Sequence, residues 1–374
     1  MRLHLSCALF IFAGFIGCGT NSTSSGGSGS NVVKHTYNGT ASVGDFLTIT
    51  VNSTASTITY SNLTNGESGT IPYTVNADGS YTLNDPDGNL ISAYEVPGYA
   101  LVIQAAKAGP NKDTAALVTA VEAGPISLST FANNSYNYME FRTAAGGLEI
   151  GSVTIGATSG TNSSYWPYGN IASGSGGAFN SGTLDFSGLV EDSSGTYMSG
   201  TVGGSGSGTN YVFGTANGFF MVDMPNGAII GLQKATSAAF DPSVAGTYDS
   251  IYYKKINAST GQGNVETGTP STGNATIVVT ASGGITVTDS TGNVEEQATL
   301  IPVSQASYLY GSAGELADPC NGLFTYRVTT GTYQKDVFVT FINNSVVFSS
   351  FKADLPWSAG NGVYNYVYGV GLKQ

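Results

Sequence analysis

The chain repeats itself, at a spacing that confines its fold to tandem units of domain size. Residues 75–90 lie over residues 279–294 without a gap. Val75, Ala77, Gly79, Thr82, Asp85 and Gly88-Asn89 match Val279, Ala281, Gly283, Thr286, Asp289 and Gly292-Asn293. A second ungapped pairing sets 116–136 on 228–248, and residues 369–372 echo 229–232. The opening signals Thr36-Tyr37, Ser135-Tyr136 and Thr247-Tyr248 recur in the same frame. Repeats of ~20–50 residues build solenoids and propellers, whereas periods of roughly 100–130 residues describe whole domains. Three related units are expected, at 34–127, 128–236 and 237–374.

Within a unit, strand follows strand. Residues 46–51 alternate apolar and polar, as a half-buried strand does. Ala77-Asp78-Gly79 and Asp87-Gly88-Asn89 supply turn residues that tolerate positive φ. Residues 99–104, 115–121 and 336–341 extend the pattern; in the last, Val337, Val339 and Phe341 share a face. Residues 112–122 hold too much valine and threonine for a helix. The fold class expected is all-β, with tandem antiparallel β-barrel or β-sandwich units of about eight short strands each.

Composition narrows the chemistry. Charged residues make up 10% and apolar ones 41%, with a net charge of −12. That supplies cores but no surface for tracking phosphates, so nucleic acid is excluded as a partner. Arg142 and Arg327 are the arginines beyond the first few residues. Beyond Cys7 and Cys18 there is one more cysteine, Cys320, so stability rests on sheets and cores rather than on a disulfide framework.

The N-terminus carries an address. Met1-Arg2 precedes a short apolar run that ends Phe15-Ile16-Gly17-Cys18, too short to span a bilayer. This run resembles the lipobox of bacterial lipoproteins, with phenylalanine where leucine is most usual. The resemblance implies a signal peptide over 1–17, removed before Cys18, and a Cys18 thiol that carries a diacylglyceryl group. Membrane lipid would then be the partner of the anchor, and Gly19-Thr20, without the aspartate of inner-membrane retention, favours the outer membrane. Residues 18–33 read as a flexible Gly/Ser/Thr/Asn tether. The third unit's Gly246-Thr247-Tyr248 start, with its following hairpins at 275–287, is similar to avidin and lipocalin-like barrels. That likeness implies a barrel and transfers no ligand-binding residue.

Candidate sites are few. His35 is the one histidine beyond the leader and stands at the tether boundary, so a Ser-His-Asp or Cys-His arrangement has no positioned base. Cys320 follows the nearby carboxylates Glu315 and Asp318, which would raise its pKa, and it lacks further thiolate or imidazole ligands for zinc. Asp85-Pro86-Asp87-Gly88-Asn89 begins like a calcium loop but lacks the downstream glutamate, so it reads as a hairpin turn. Neither a catalytic residue, a metal site nor a cofactor is expected. Aromatic rings stack on sugars or anchor proteins. Tyr165, Trp166 and Tyr168, before a Gly/Ser-rich loop, and Trp357 are therefore the candidate ligand contacts, for a glycan or a surface protein. The function expected is that of a membrane-anchored, exported, non-catalytic binding or structural module. The alternatives are a carbohydrate-active hydrolase with paired carboxylates drawn from Glu140, Asp185, Glu191, Asp192, Glu295 and Glu296, and an integral outer-membrane barrel.

Overall fold

The computed structural model describes residues 33–108, 114–142, 147–166, 178–203, 208–215, 218–258, 270–309, 318–354 and 363–374. Eight strands form the first sheet: β1 (Lys34–Ala41), β2 (Phe46–Asn52), β3 (Thr57–Asn62), β4 (Ser68–Val75), β5 (Tyr81–Leu83), β6 (Leu90–Val96), β7 (Ala100–Ala108) and β8 (Thr114–Glu122). They run up and down, and β8 closes on β1 with Thr119 opposite Thr40. Leu47, Ile49 and Val51 point into this barrel, whose interior also holds Ile58, Ile71 and Leu101. The segment 112–122 is indeed extended over Thr114–Glu122.

A one-turn helix, α1 (Leu128–Phe131), leads into the second barrel. Its strands are β9 (Ser135–Arg142), β10 (Gly147–Ile155), β11 (Ser159–Trp166), β12 (Ala178–Glu191), β13 (Met198–Gly203), β14 (Asn210–Gly214), β15 (Phe219–Met224) and β16 (Gly227–Gln233). Here β16 closes on β9, with Ile230 opposite Met139. The third sheet contains β17 (Gly246–Ala258), β18 (Ser271–Val279), β19 (Gly284–Asp289), β20 (Val294–Thr299) and β21 (Ile301–Pro302). It continues with β22 (Leu323–Thr329), β23 (Tyr333–Ile342), β24 (Ser345–Asp354) and β25 (Val363–Lys373). Its spatial order is β20-β19-β18-β17-β25-β24-β23-β22-β21, so β17 pairs with β25 while β20 and β21 remain as edges. The all-β expectation holds, and the choice between barrel and sandwich resolves to two closed barrels and one open, barrel-like sheet.

The repeated stretch folds the same way twice. Val75 ends β4 and Val279 ends β18, and each is followed by two tight hairpins. Gly79 and Gly283 adopt φ of 84° and 81° in the first turn, while Gly88 and Gly292 adopt 66° and 86° in the second. Only glycine enters that region without a steric penalty, which is why these positions match. Asp85 accepts from the Asn89 and Leu90 N–H groups, and Asp289 accepts from those of Thr291 and Asn293. Both aspartates therefore hold hairpin turns together, as the missing calcium-loop glutamate indicates.

The outer faces of the sheets bury one another. Phe46, on the outward face of β2, is fully buried and stacks on Tyr211 of the second barrel at 4.5 Å between ring centroids. Phe141 of β9 meets Tyr253 and Tyr368 of the third sheet edge-on and stacked, at 4.9 and 5.9 Å. Tyr366 and Tyr368 therefore pack between units. Polar groups join the same contacts: Thr40 Oγ1 donates to Asp223 at 2.5 Å, and Tyr99 Oη donates to the Ile342 carbonyl at 3.3 Å.

Asp223 is 1% exposed, and burial, reinforced by the Asp45 charge, pushes its carboxyl well above the ordinary carboxylate range against the Thr40 hydrogen bond. A folded-state pKa raised in this way favours folding at acid pH, and that stabilisation is lost as pH climbs from the ordinary carboxylate range through the raised value. Asp223→Asn keeps an acceptor for Thr40 without the charge. We expect this variant to be more stable at neutral pH by on the order of 1 kcal/mol, read as a higher urea midpoint, and to show a flatter fall in stability between acid and neutral pH. A stability difference between parent and Asp223→Asn that is the same at pH 4 and pH 7.5 would show that Asp223 is not held protonated.

Candidate functional site

The inward rows of the third sheet grade from aromatic to charged. On β23 they read Phe341, Val339, Val337, Lys335, and on β24 Val346, Phe348, Ser350, Lys352. Strand pairing sets these side by side, with Phe341 opposite Val346, Val339 opposite Phe348, Val337 opposite Ser350 and Lys335 opposite Lys352. On β17 the row Tyr248, Ser250, Tyr252, Lys254 climbs in the same direction, and Lys254 reaches the level of Ser350 through Val367. Period-two alternation puts each row on one face, and the slow change along it makes a cup with an apolar bottom and a charged lip.

The bottom is plugged by rings. Phe240 meets Phe324 and Phe341 edge-on at 5.5 and 6.1 Å, and Tyr248 lies 6.0 Å from Phe341. The Tyr248 hydroxyl is tied to the Val244 carbonyl at 2.5 Å. Above the plug the cup encloses about 500 Å³, within the roughly 300–1,000 Å³ of small-molecule sites. Gly369 on β25 makes room for the Phe348 ring that lines the cup, since a Cβ there would stand 2.2 Å from it.

Charge at the lip is divided between the walls. Lys254, Lys335 and Lys352 come from β17, β23 and β24, while Asp289, Glu295 and Glu296 come from β19 and β20. Two lysines directly opposite each other repel. The pair Lys335 and Lys352 is relieved because Lys335 bonds Glu296 and Lys352 sits 4.3 Å over the Tyr333 ring. Glu296 also accepts from Tyr326 Oη at 2.6 Å, so one side chain of β20 spans to β22 and β23 where backbone pairing stops. Burial, then the Glu296 charge, push the Tyr326 phenol well above its ordinary range, so this hydroxyl is a donor and not a base. Hydrogen bonds from Thr291 and Asn293 lower Asp289 to about 2, which keeps it ionised.

The closed barrels hold a related feature. Glu95 accepts from both Tyr37 and Tyr81 at 2.5 Å, and Glu149 accepts from Tyr138 at 2.5 Å. Glu149 lies opposite Glu140 on β9, and the two share a pocket of about 110 Å³ inside the second barrel. That is room for a few waters and not for a sugar ring.

The residues singled out from sequence fall in several places. Cys18, Tyr168 and Trp357 lie outside the described residues. Tyr165 and Trp166 end β11, where they pair with Phe179 and Ala178, and their side chains are outside the described set. Cys320 is fully buried, and burial followed by the Asp318 charge pushes its thiol up to about 12. Among the acids, Glu295 and Glu296 come together at the cup. Asp185 and Asp192 instead accept from the N–H groups of Ser187 and Ser194, two residues on, the first at the irregularity in β12 and the second in an exposed turn. His35 lies on β1, with its ring 6.5 Å from that of Tyr37. Among the described residues no cluster of three or more His, Cys, Asp or Glu could hold a metal, and no helix is long and apolar enough to cross a membrane.

Sequence reasoning missed the cup lysines. A trace existed: six of the twelve cationic residues fall within 237–374. No local motif joins them, because register alone brings them to one level.

No protein-family model matches the chain, and no curated protein sequence does either. Among solved structures, the chain is similar to transferrin binding protein B of Haemophilus parasuis Hp5, a vaccine antigen, in its Tyr-167-Ala/Trp-176-Ala double mutant. That alignment covers 91% of this chain and 76% of the other at 9% identity, with a TM-score of 0.23. The Trp-176-Ala single mutant aligns over 88% and 66% at 9% identity, with a TM-score of 0.19. A superposition this loose leaves function to the chain's own residues.

Proposed function

We propose that the chain is an exported bacterial lipoprotein, anchored through acylated Cys18 to the outer membrane, whose folded body is a non-catalytic binding module with the cup of the third sheet as its binding site. The observation that carries the binding half is the graded lining of that cup. An apolar floor with a few polar groups gathered at the lip is the usual make-up of a ligand site. A catalytic reading fits less well, because Glu296 is already bonded to Tyr326 and Lys335 and is not poised as a free acid or base. An integral barrel also fits less well, since the exposed faces of β3 and β4 carry Thr59, Thr70 and Thr74 while the apolar residues face inward. A barrel facing lipid has the opposite arrangement.

The anchor rests on the lipobox and is tested by labelling cells that express the full chain with palmitate. The parent chain should take up label and fractionate with membranes, and Cys18→Ala should do neither. Label retained by Cys18→Ala would refute the anchor. In parallel, a polysaccharide panel should yield no reducing ends. Release that disappears in Glu295→Gln or Glu296→Gln would overturn the non-catalytic reading.

A further inference from the structure

We propose that the cup of the third sheet takes a single-chain amphiphile with a zwitterionic head, its tail against Val339 and Phe348 and its head between the lysine wall and the acidic wall. This rests on the cup being the binding site, and it adds the chemical class of what fills it.

Three observations point to that class. The first is direction: the inward rows of β17, β23 and β24 become more polar toward the same end, which favours one orientation for a ligand with one apolar and one polar end. The plug of Phe240, Phe324 and Phe341 closes the other end, so the tail cannot pass through.

The second is the distribution of charge at the lip. Lys254, Lys335 and Lys352 stand on one wall and Asp289, Glu295 and Glu296 on the other, with Lys335 and Glu296 paired across the seam. A purely anionic head would face the acids at close range, and a purely cationic head would face the lysines. A head carrying both charges can align with both walls, and unlike charges placed that way favour one orientation. Lys352 on the Tyr333 ring adds a face that is part cation and part π-system.

The third is access. The first two barrels are sealed all round by backbone pairing, whereas in the third β21 pairs with β22 only over Ile301–Pro302, and above that the seam between β20 and β22 is bridged by the Glu296 side chain. Side-chain rotamers change within nanoseconds, whereas separating paired strands requires local unfolding. Rotation of Glu296 is therefore enough to widen the mouth for a tail.

The test uses the folded chain from Asn31 onward and dodecylphosphocholine below its micelle threshold, followed by calorimetry. Saturable one-to-one binding is expected, with weaker binding of dodecyl sulfate and dodecyltrimethylammonium and none of phosphocholine lacking a tail. Val339→Trp, which fills the floor, should abolish binding. Lys352→Glu at the lip keeps the floor intact and should weaken binding roughly fivefold, as loss of one partly exposed charge contact does.

A second arm offers lysophosphatidylcholine within diacyl phosphatidylcholine vesicles. Its removal from vesicles identifies a bilayer as the source, while binding of the free amphiphile alone identifies a dissolved one. An apolar dye, anilinonaphthalene sulfonate, separates the two levels of failure. If dye binding is lost in Val339→Trp but dodecylphosphocholine does not displace it, the cup binds and the assigned class is wrong. If neither binds saturably, the cup is not a binding site. Equal affinity for the sulfate, the ammonium and the zwitterion would overturn the head assignment.

Discussion

Phe46→Ala should cost the folded body about 3–5 kcal/mol, the range for emptying a buried aromatic site. Phe46 belongs to the first barrel by sequence and to the second by contact. Besides stacking on Tyr211, its ring lies 4.8 Å from Tyr197 and 5.3 Å from Phe213. Truncation leaves a hole lined by rings from a different sheet, and those rings cannot follow because β13 and β14 are held in their own barrel. The measurement is a urea unfolding curve followed by circular dichroism. An additional outcome is informative: if the first barrel now melts before the rest, the curve splits into two transitions, and Phe46 is shown to couple them. A loss below about 1 kcal/mol, the mean for ordinary substitutions, would mean that the two barrels do not depend on each other there. Phe46→Leu should recover much of the loss, since it restores part of the apolar volume.

Arg327→Ala should be comparably damaging for an electrostatic reason. Asp336 is 1% exposed, and Arg327 meets it with two hydrogen bonds, Nε to Oδ1 at 2.6 Å and Nη2 to Oδ2 at 2.8 Å. The same guanidinium lies 4.2 Å above the Tyr308 ring. Removing it leaves a buried carboxylate without its partner, which costs about 3–5 kcal/mol. Replacing both members with apolar residues of similar size removes the orphaned charge. Arg327→Met with Asp336→Leu should therefore be more stable than Arg327→Ala alone, with a higher urea midpoint. If the double variant is as unstable as the single one, the damage comes from lost packing over Tyr308 and not from the stranded carboxylate.

The strands were legible because each has one face turned to a core. Alternation in 46–51 places Ile49 and Val51 inside, and the paired glycines of the two repeated stretches mark turns that only positive φ permits. The opposite faces were less legible. Phe46, Phe338 and Tyr366 look outward from their own sheets, and a neighbouring sheet covers them. In 336–341, Val337 and Val339 face the cup while Phe338 faces the second barrel, so the strand is buried on both sides and its outward contacts have no local signature. The site was hidden for a related reason. Lys254, Lys335 and Lys352 are each ordinary at their own positions, and only the order β17-β25-β24-β23 brings them to one lip. Tyr165 and Trp166, chosen for their chemistry, sit at a strand end in the second barrel, away from the third-sheet strands that form the cup.

In every sheet the first strand lies beside the last: β1 by β8, β9 by β16, β17 by β25. A unit built that way begins and ends at the same place on its rim. A second copy can be joined to it by a short connector, as at 123–134 and 234–245, without a long return across the barrel. Tandem duplication of the coding segment then yields a foldable product at once, because neither copy has to break its own closure to admit the other. The gap in the third sheet falls mid-chain, between β20 and β22, rather than at this shared rim. One copy could therefore lose its seal and acquire a cup while the joints that hold the array together remained unchanged.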